Sequence, residues 1–319
     1  MKSLKPKVSI IGCGNVGTRY AYALIIKGLA RQIVMIDINK KRLEGDVMDL
    51  SHGAPYVPPV DIIVGDYPDI KDSDLIVISA GRGQRPKETR LDLIKDNIRL
   101  FREIIPRVVE VDPSAILLIA TNPVDILSYA AYKISGKPSN EVIGSGTVLD
   151  SARFRHLLGR CCDIDPRNVH AYILGEHGDS EFPVWSIANI GGTLIKQYCP
   201  ICENSKECNS ENKLQNIFEE VRNIAYDIID RKGETSYGIG LALARITQAI
   251  LKDEQTILPV STLIENYLGI ADIYLSLPAI LNKNGIRKVL NLRLNAEEQE
   301  SFIKSAQKMK DYIEKVDLI

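Results

Sequence analysis

The 319-residue sequence has no apolar run approaching the roughly 18 residues that a membrane-spanning helix needs. Its 40 basic and 41 acidic residues leave a net charge of −1, and no basic run carries interleaved aromatic residues, which argues against a nucleic-acid partner. The apolar part of the amino terminus is only four residues long before glycines interrupt it, too short for a secretory signal. We therefore expect a cytoplasmic protein with neither a membrane nor a nucleic-acid partner.

Cysteine is also scarce: six cysteines in a chain of this length do not form the dense pattern of a disulfide-stapled domain. Cys199 and Cys202 form a C-x-x-C pair and Cys208 follows it, but a structural zinc site needs four ligands and only three cysteines are local. We interpret this segment as a surface connection and expect no bound metal. A metal or redox role for the three thiols is the alternative.

The first half of the chain alternates short Val- and Ile-rich runs with amphipathic stretches. The length predicts about two domains. The runs predict buried strands over 7–11, 32–37, 61–64, 74–80, 115–120 and 141–144. A helical face runs from Ile94 to Val108, and Pro106 is expected to kink or break that helix. This alternation is typical of an α/β, Rossmann-type, doubly wound parallel sheet.

The second half has a different pattern. The segment SIANIGGTLIK predicts a hairpin that turns at Gly191-Gly192, and helical patterns cover about 213–230 and 237–251. A last helix is predicted after Asn295, a candidate N-cap with Glu298 three residues later. We therefore expect a Rossmann domain over 1–145, an α+β substrate-binding and catalytic domain over 146–319, and a ligand cleft between them.

The segment IIGCGNVGTRYAYAL carries Gly12, Gly14 and Gly17 directly after a strand and before a helix, the context that makes this spacing indicative of a dinucleotide site. The glycines allow a tight turn, close approach of a pyrophosphate and close helix packing, and the helix N-terminus attracts the anion. The next strand ends at Asp37, where a carboxylate can bind a ribose and repel a 2′-phosphate, which favours NAD over NADP. A glycine turn without ligand and a simple helix cap are the alternatives.

The stretches LDSARFR and ILGEHGDSE carry candidate acid–base and anion-binding groups. Asp150 and Arg153 are three residues apart and would share one face of a helix. A guanidinium can hold a carboxylate through two parallel hydrogen bonds, and a carboxylate can orient an imidazole and stabilise its charged form. His177 is one of only four histidines in the chain. A surface ion pair and a structural histidine are the alternatives.

The stretch SAGRGQRPKETRLDLIKDN predicts a polar loop after the strand that ends at Ala80, with Arg90 at the start of the following helix. Loops that follow strand carboxyl ends carry ligand contacts in open α/β sheets. Such a loop can close over a substrate, exclude water and deliver a cation to a developing oxyanion. A solvated charged loop is the alternative.

Seven motifs along nearly the whole chain resemble the L-lactate/malate dehydrogenase family, and within it the bacterial L-lactate dehydrogenases. They are GCGNVG, the strand ending at Asp37, AGRGQRPKETRLDL, ATNPVD, LDSARFR, GEHGDSE and KGETSYGIG. The resemblance implies NAD as cofactor and reversible reduction of pyruvate to (S)-lactate. It implies His177 as the acid/base, Asp150 as its partner, Arg153 as the carboxylate clamp and Arg90 as the arginine that polarises the ketone.

The resemblance also implies binding residues around that centre. Asn122 would bridge nicotinamide and substrate, Thr235 would line the substrate pocket, and Ile239 would wall the nicotinamide ring. The other residues implied to border the cofactor are Val16, Arg42, Tyr67, Gly81, Arg82 and Ser145.

Substrate choice within the family depends on one loop position, which is Gln84 in this sequence and arginine in malate dehydrogenases. A neutral amide leaves a second substrate carboxylate unpaired, a cost of several kcal/mol, or roughly a hundredfold in discrimination. Glu88 and Thr235 also favour the lactate reading, and Lys87 departs from the glycine usual in this loop. The alternatives are a malate or related L-2-hydroxyacid dehydrogenase and a catalytically dead NAD-binding protein.

Arg155 and His170 match the positions by which many bacterial members hold fructose 1,6-bisphosphate between subunits. Arg155 lies two residues after Arg153 and therefore on a different helix face. The resemblance thus implies an allosteric effector and a homotetramer. Two structural residues at a subunit contact are the alternative.

Overall fold

The computed structural model describes residues 6–83, 88–196 and 211–316, in which the chain forms 14 β-strands and eight α-helices. The helices are α1 (Asn15–Lys27), α2 (Lys40–His52), α3 (Arg90–Val111), α4 (Val124–Ser135), α5 (Val148–Cys162), α6 (Glu211–Lys232), α7 (Tyr237–Leu251) and α8 (Ala296–Lys315).

The first six strands confirm the predicted ones, with some ends one or two residues shorter. They are β1 (Lys7–Ile11), β2 (Gln32–Ile36), β3 (Asp61–Val64), β4 (Leu75–Ile78), β5 (Ile116–Ile119) and β6 (Val142–Gly144). All five neighbouring pairs run parallel, in the order β3-β2-β1-β4-β5-β6. The order reverses direction between β1 and β4, so the loops after these two strands open a crevice at the carboxyl edge of the sheet.

The second half of the chain extends the same sheet. Its eight strands are β7 (Val169–His170), β8 (Ile173–Leu174), β9 (Phe182–Pro183), β10 (Asn189–Ile190), β11 (Thr193–Leu194), β12 (Thr256–Ile264), β13 (Ile273–Asn282) and β14 (Gly285–Val289). Strands β12 to β14 are antiparallel and join the first six at the pairing of Ser261 with Gly144. Within the described residues this gives one nine-stranded mixed sheet.

The strands owe their burial to apolar layers on both faces of the sheet. Along β4, Ile76 and Ile78 belong to the layer that contains residues of α3. Leu75 and Val77 belong to the opposite layer, with residues of α1 and α7. Successive side chains of a strand point to opposite faces, so a strand covered on both sides must be apolar throughout. The result is a rigid sheet that holds the loops at its carboxyl edge in place.

Of the expectation that Pro106 kinks or breaks helix α3, the break is wrong: the helix runs without interruption to Val111. Proline removes one N–H donor. The neighbouring Ile105 and Val108 are completely buried, and the bond from the backbone N–H of Asp112 to Val108 O, at 2.9 Å, continues the helical pattern. Core packing on both sides of the proline therefore stabilises the helix.

The predicted hairpin and terminal helix are both confirmed. Ile190 pairs with Thr193 across Gly191 and Gly192, whose φ angles of 57° and 84° suit a two-residue turn. The Asn295 side chain accepts a hydrogen bond from Glu298 N, and the Glu298 side chain accepts one from Asn295 N, which forms a capping box at the start of α8. Among the described residues, no helix combines the length and apolarity that a membrane crossing demands.

Candidate active site

The glycine turn between β1 and α1 forms a cradle open on one side. A Cβ at Gly12 would lie 2.2 Å from Ala80 N, and one at Gly17 would lie 2.2 Å from Gly12 O, so both positions require glycine. An added Cβ at Gly14 would have no neighbour within 4 Å, and no side chain caps α1 at this residue. The N-terminus of α1 therefore presents backbone N–H groups and a partial positive charge to an anion.

Asp37 stands beside this turn at the end of β2. Its Oδ2 accepts a hydrogen bond from Cys13 N at 2.7 Å, and its Oδ1 accepts one from Asn39 N at 2.8 Å. The side chain of Asn39 caps α2, so Asp37 is not the helix cap. Each carboxylate oxygen has a second lone pair, which leaves Asp37 able to accept hydrogen bonds from ribose hydroxyls.

Two of the outlying cofactor positions differ in where the structure places them. The Arg42 guanidinium donates to Asn15 Oδ1 at 2.9 Å, which brings it to the first turn of α1. Tyr67 is half-buried, and the guanidinium carbon of Arg107 lies 3.9 Å from its ring centre. The structure thus brings Arg42 to the start of α1, while Tyr67 packs against Arg107.

A cavity of about 350 Å³ lies between the two halves of the chain and extends from α1 to α6 and α7. It brings together ten of the residues expected from the sequence to bind cofactor or substrate. They are Val16, Arg82, Arg90, Asn122, Ser145, Asp150, Arg153, His177, Thr235 and Ile239. Gly81 lies against Thr121 at the edge of this region.

His177 forms the centre of a hydrogen-bonded chain. Its Nδ1 lies 2.6 Å from Asp150 Oδ2, and its backbone N–H donates to Asp125 Oδ2 at 2.7 Å. The buried Asp125 accepts a further hydrogen bond from Ser261 Oγ at 2.6 Å. The imidazole is thereby held from both the side chain and the backbone, and its Nε2 is left for the cavity.

The charges of the pair favour a protonated histidine. Burial alone would lower the pKa of His177, but the Asp150 carboxylate outweighs it and raises the pKa to about 9. Burial works against ionisation of Asp150, yet His177 and Arg153 together keep the pKa of that carboxyl below its usual value. At neutral pH the pair is therefore an imidazolium and a carboxylate, in which the imidazolium can donate a proton.

Arg153 completes the face of α5 that carries Asp150. Its Nη1 donates to Asp150 Oδ1 at 3.0 Å, and its Nη2 lies 3.5 Å from Thr235 Oγ1. The side chain is largely buried and lines the cavity. A guanidinium has five N–H donors, so Arg153 retains donors for a substrate carboxylate.

Arg90 is bound by Glu176, the residue that directly precedes His177. Its Nη2 donates to Glu176 Oε1 at 3.0 Å, while Lys308 Nζ lies 2.8 Å from the other oxygen of Glu176. The Nε of Arg90 is buried without a hydrogen-bond partner among the described residues. Arg90, which lines the cavity, therefore has one donor that no described residue engages.

Arg82 binds two acidic residues, Glu88 and Asp96, that lie on the other side of residues 84–87. Its Nη1 donates to Glu88 Oε2 at 2.7 Å, and its Nη2 donates to Asp96 Oδ2 at 2.6 Å. One guanidinium thus ties together the residues on either side of 84–87. Gln84 and Lys87 lie outside the described residues, as do Cys199, Cys202 and Cys208.

Three acidic residues of the site were missed by sequence reasoning. Asp125 belongs to the quoted motif TNPVD, and Glu176 and Glu181 belong to GEHGDSE; their position there is the only signal in the sequence. Glu181 is 7% exposed, and its carboxyl lies within 4.8 Å of ligand atoms of Asp150 and His177. Nothing in its spacing from either residue indicates that contact.

Comparison with protein families matches both halves of the chain. The model for the lactate/malate dehydrogenase NAD binding domain matches residues 6–144, and the model for the alpha/beta C-terminal domain of the same family matches residues 147–318. The chain belongs to the lactate/malate dehydrogenase family. The cofactor of this dehydrogenase is therefore NAD.

Relatives of this dehydrogenase give its activity. It is 50% identical over 312 residues to the L-lactate dehydrogenase of Thermoanaerobacter pseudethanolicus, covering 98% of this chain and 99% of the relative. It is 52% identical over 305 residues to that of Clostridium botulinum strain Hall, covering 96% and 95%. The activity is NAD-dependent L-lactate dehydrogenase activity, and the malate dehydrogenase alternative is not supported.

Solved structures agree with the fold. A ligand-bound minor L-lactate dehydrogenase from Enterococcus mundtii superposes with a TM-score of 0.95 at 40% identity, covering 99% of this chain and all of that one. MGS-M5, a lactate dehydrogenase from a deep-sea metagenome library, gives 0.93 at 43% identity, with 99% of each chain covered.

Proposed function

We propose that this dehydrogenase interconverts pyruvate and (S)-lactate with His177 as the proton donor and acceptor. The observation that carries this proposal is the 2.6 Å contact of His177 Nδ1 with Asp150, whose other oxygen binds Arg153, at the wall of one cavity. An imidazolium and a guanidinium in one cavity suit a substrate that carries a carboxylate and a carbonyl to be protonated.

The residues fit the NAD cofactor. The uncapped start of α1 at Gly14 suits a pyrophosphate, and Asp37 suits a ribose diol. Gly12, Gly17 and Arg42 complete this end, while Val16, Ser145, Asn122 and Ile239 lie along the cavity wall towards His177. Arg82 and Gly81 border the loop. Tyr67 has the least structural support as a cofactor contact, because its ring packs against Arg107. The bound cofactor supplies or accepts the hydride.

The protein's own groups bind and polarise the substrate. Arg153 receives the substrate carboxylate through its free donors, and Thr235 and Asn122 line the space beside it. Arg90 leaves Glu176 and donates to the carbonyl oxygen, which stabilises the charge that develops there. His177 then gives its proton to the same oxygen, and Asp150 stabilises the imidazolium before the transfer and orients the neutral ring after it.

A panel of 2-oxo acids tests this function. We expect NADH consumption with pyruvate to exceed that with oxaloacetate or a branched 2-oxo acid, and Gln84→Arg to shift preference towards oxaloacetate. His177→Asn should abolish turnover while NADH binding, followed by fluorescence, persists. A protein that binds NADH and reduces none of these acids would retire the proposal.

We further propose that fructose 1,6-bisphosphate binds at Arg155 and His170. The Nε of Arg155 is buried with no hydrogen-bond partner among the described residues, and His170 is exposed on β7. Both are cationic or can become so, as an anionic effector requires. Titration of the bisphosphate should lower the pyruvate concentration at half-maximal rate; an unchanged value at both acidic and neutral pH would refute the effector.

The proposed homotetramer is supported by an exposed apolar surface. Tyr22, Ile26, Tyr56 and Tyr237 are each more than half exposed and line one shallow surface of α1, α7 and the turn after α2. Such a patch is typical of a protein–protein contact. Sedimentation velocity measures the mass directly, and a monomer at working concentration would contradict the tetramer. The division at residue 145 and the cytoplasmic location stay predictions.

A further inference from the structure

Glu181 is a buried acid that the mechanism above does not use. It follows the turn of GEHGDS, where its backbone N–H donates to Gly178 O at 3.1 Å, and it directly precedes β9. The residue is 7% exposed. Its carboxyl, the Asp150 carboxylate and the His177 ring offer atoms that all lie within 4.8 Å of one another.

Two carboxyl groups this close in a buried site do not both ionise readily. Asp150 is the member held as an anion, because Arg153 binds one of its oxygens at 3.0 Å and His177 binds the other at 2.6 Å. Burial, reinforced by the charge of Asp150, raises the pKa of Glu181 well above its usual range, against the opposing charges of His177 and Arg153. Of the two carboxyl groups, Glu181 is therefore the one that holds its proton more readily.

The groups on the far side of Glu181 do not reverse this assignment. Glu181 also lines a second cavity of about 360 Å³, whose charged residues are Lys196, Glu297, Glu298 and Lys304. Lys304 pairs with Glu300 at 2.7 Å, and Glu298 accepts hydrogen bonds from the backbone and hydroxyl of Ser186. On the side of the active site, Asp125 lies next to His177 and carries a negative charge. A negative charge there does not favour ionisation of Glu181.

We propose that Glu181 is a positioning residue of the acid–base pair, which keeps its own proton and donates it in a hydrogen bond to Asp150. The hydrogen bond would fix the plane of the Asp150 carboxylate, and through it the direction of the His177 ring. A neutral Glu181 also adds no negative charge to the wall of the cavity, where such a charge would repel an anionic 2-oxo acid. This inference rests on the proposed roles of His177 and Asp150.

A matched pair of substitutions tests it. Glu181→Met keeps the size and removes the donor, so the ring loses its fixed direction and kcat for pyruvate reduction falls about tenfold to a hundredfold. Glu181→Gln restores a neutral donor and should recover most of that loss. NADH affinity and the thermal midpoint serve as controls for folding. Equal rates for the two variants would mean that Glu181 only fills space, which overturns the inference.

The pH profile separates a neutral from an ionised Glu181. If Glu181 is neutral, Glu181→Gln leaves the alkaline limb of kcat/KM for pyruvate in place, because the substitution removes no charge next to His177. If Glu181 is an anion, the same substitution moves that limb to lower pH by about one pH unit, and the inference fails. An infrared band of a protonated carboxyl at neutral pH, present in the wild type and lost in Glu181→Gln, supports the proposal without any need for Glu181→Met to fold; its absence overturns it.

Failure of the wider mechanism gives a different result. An active His177→Asn variant would refute the proposed function whatever the Glu181 variants do. An inactive His177→Asn variant, together with equal rates for Glu181→Met and Glu181→Gln, would refute the role of Glu181 alone.

Discussion

The guanidinium of Arg90 donates to the carboxylate of Glu176 at 3.0 Å, so the arginine proposed to polarise the substrate is bound by the residue next to His177. Glu176 is buried and shared with Lys308, which lies 2.8 Å from its other oxygen. In the proposed mechanism, Arg90 therefore exchanges the Glu176 carboxylate for the substrate oxygen on which negative charge develops. A partner already shared with a second cation makes that exchange less costly, because Glu176 keeps Lys308 when Arg90 leaves.

Replacement of Arg90 by glutamine tests its catalytic role. We expect kcat for pyruvate to fall by roughly 10²–10³, the usual loss when one donor to a developing oxyanion is removed. NADH affinity should not change. Arg99→Gln is the matched control, because Arg99 lies on the same helix, is mostly exposed and pairs with Asp96 at 3.2 Å. A loss of similar size in both variants would mean that the helix, not the guanidinium, had been disturbed.

Asp150→Asn removes the charge that raises the pKa of His177 to about 9. Without it, burial lowers that pKa, so less imidazolium is present at neutral pH and the ring loses its fixed tautomer. We expect kcat/KM for pyruvate to fall by at least about 10² and its alkaline limb to move to lower pH. An alkaline limb that stays where it is would show that Asp150 does not control the titration of His177.

The rates of pyruvate reduction and lactate oxidation should depend on pH in opposite ways. Reduction of pyruvate needs protonated His177, so its kcat/KM should decline as pH rises through about 9, while oxidation of lactate should increase up to the same pH. Initial rates measured in both directions across this range check the expectation. Parallel curves for the two directions would contradict a single group that acts as both acid and base.

The free energy of unfolding should also depend on the protonation of His177. The pKa of His177 is raised from 6.5 to about 9 on folding, so the native state binds the proton more tightly than the unfolded chain. Its contribution to the free energy of unfolding is complete below about pH 6.5 and is lost as pH rises through about 9. Denaturant unfolding of the wild type and of His177→Asn at several pH values measures it. The difference between the two proteins should shrink towards alkaline pH.

Ser261→Ala examines the buried support of His177. Burial raises the pKa of Asp125 to about 6, against the hydrogen bonds from Ser261 and His177 N. Removal of the Ser261 donor should cost about 1–3 kcal/mol of unfolding free energy near pH 8, where Asp125 is ionised, and less near pH 5, where it is protonated. Ser301→Ala, at a partly exposed site on α8 whose hydroxyl bonds only the backbone of Glu297 in the described structure, should change stability by less than about 0.5 kcal/mol. A loss from Ser261→Ala that is the same at both pH values would mean that Asp125 is not the affected group.

Many of the helices and strands can be predicted from the sequence, because they depend on interactions between residues that are close along the chain. The strand positions follow from buried Val- and Ile-rich runs, and α7 begins and ends at Tyr237 and Leu251, as its pattern predicts. The contact of Asp150 with Arg153 follows from helical spacing. Each of these relations involves neighbours along one element.

The remaining features depend on contacts between distant segments. Asp125 is 52 residues from His177 in sequence, and only the packing of α4 beneath the turn brings them together. Glu181 comes close to Asp150 because the chain turns at Gly178, whose φ is +150°. The spacing of these residues in the sequence does not predict this proximity. Pro106 shows the opposite case, in which a local rule is overridden by core packing.

The pairing of Gly144 with Ser261 has a consequence for how this enzyme can move. One hydrogen-bonded sheet runs through the cofactor-binding and catalytic halves, so the two cannot swing about a hinge without breaking it. In the proposed function, closure around a substrate then belongs to short segments at the rim of the sheet and not to a movement of the two halves. Exchange of those segments alone should alter which 2-oxo acid is accepted while the scaffold beneath keeps its shape.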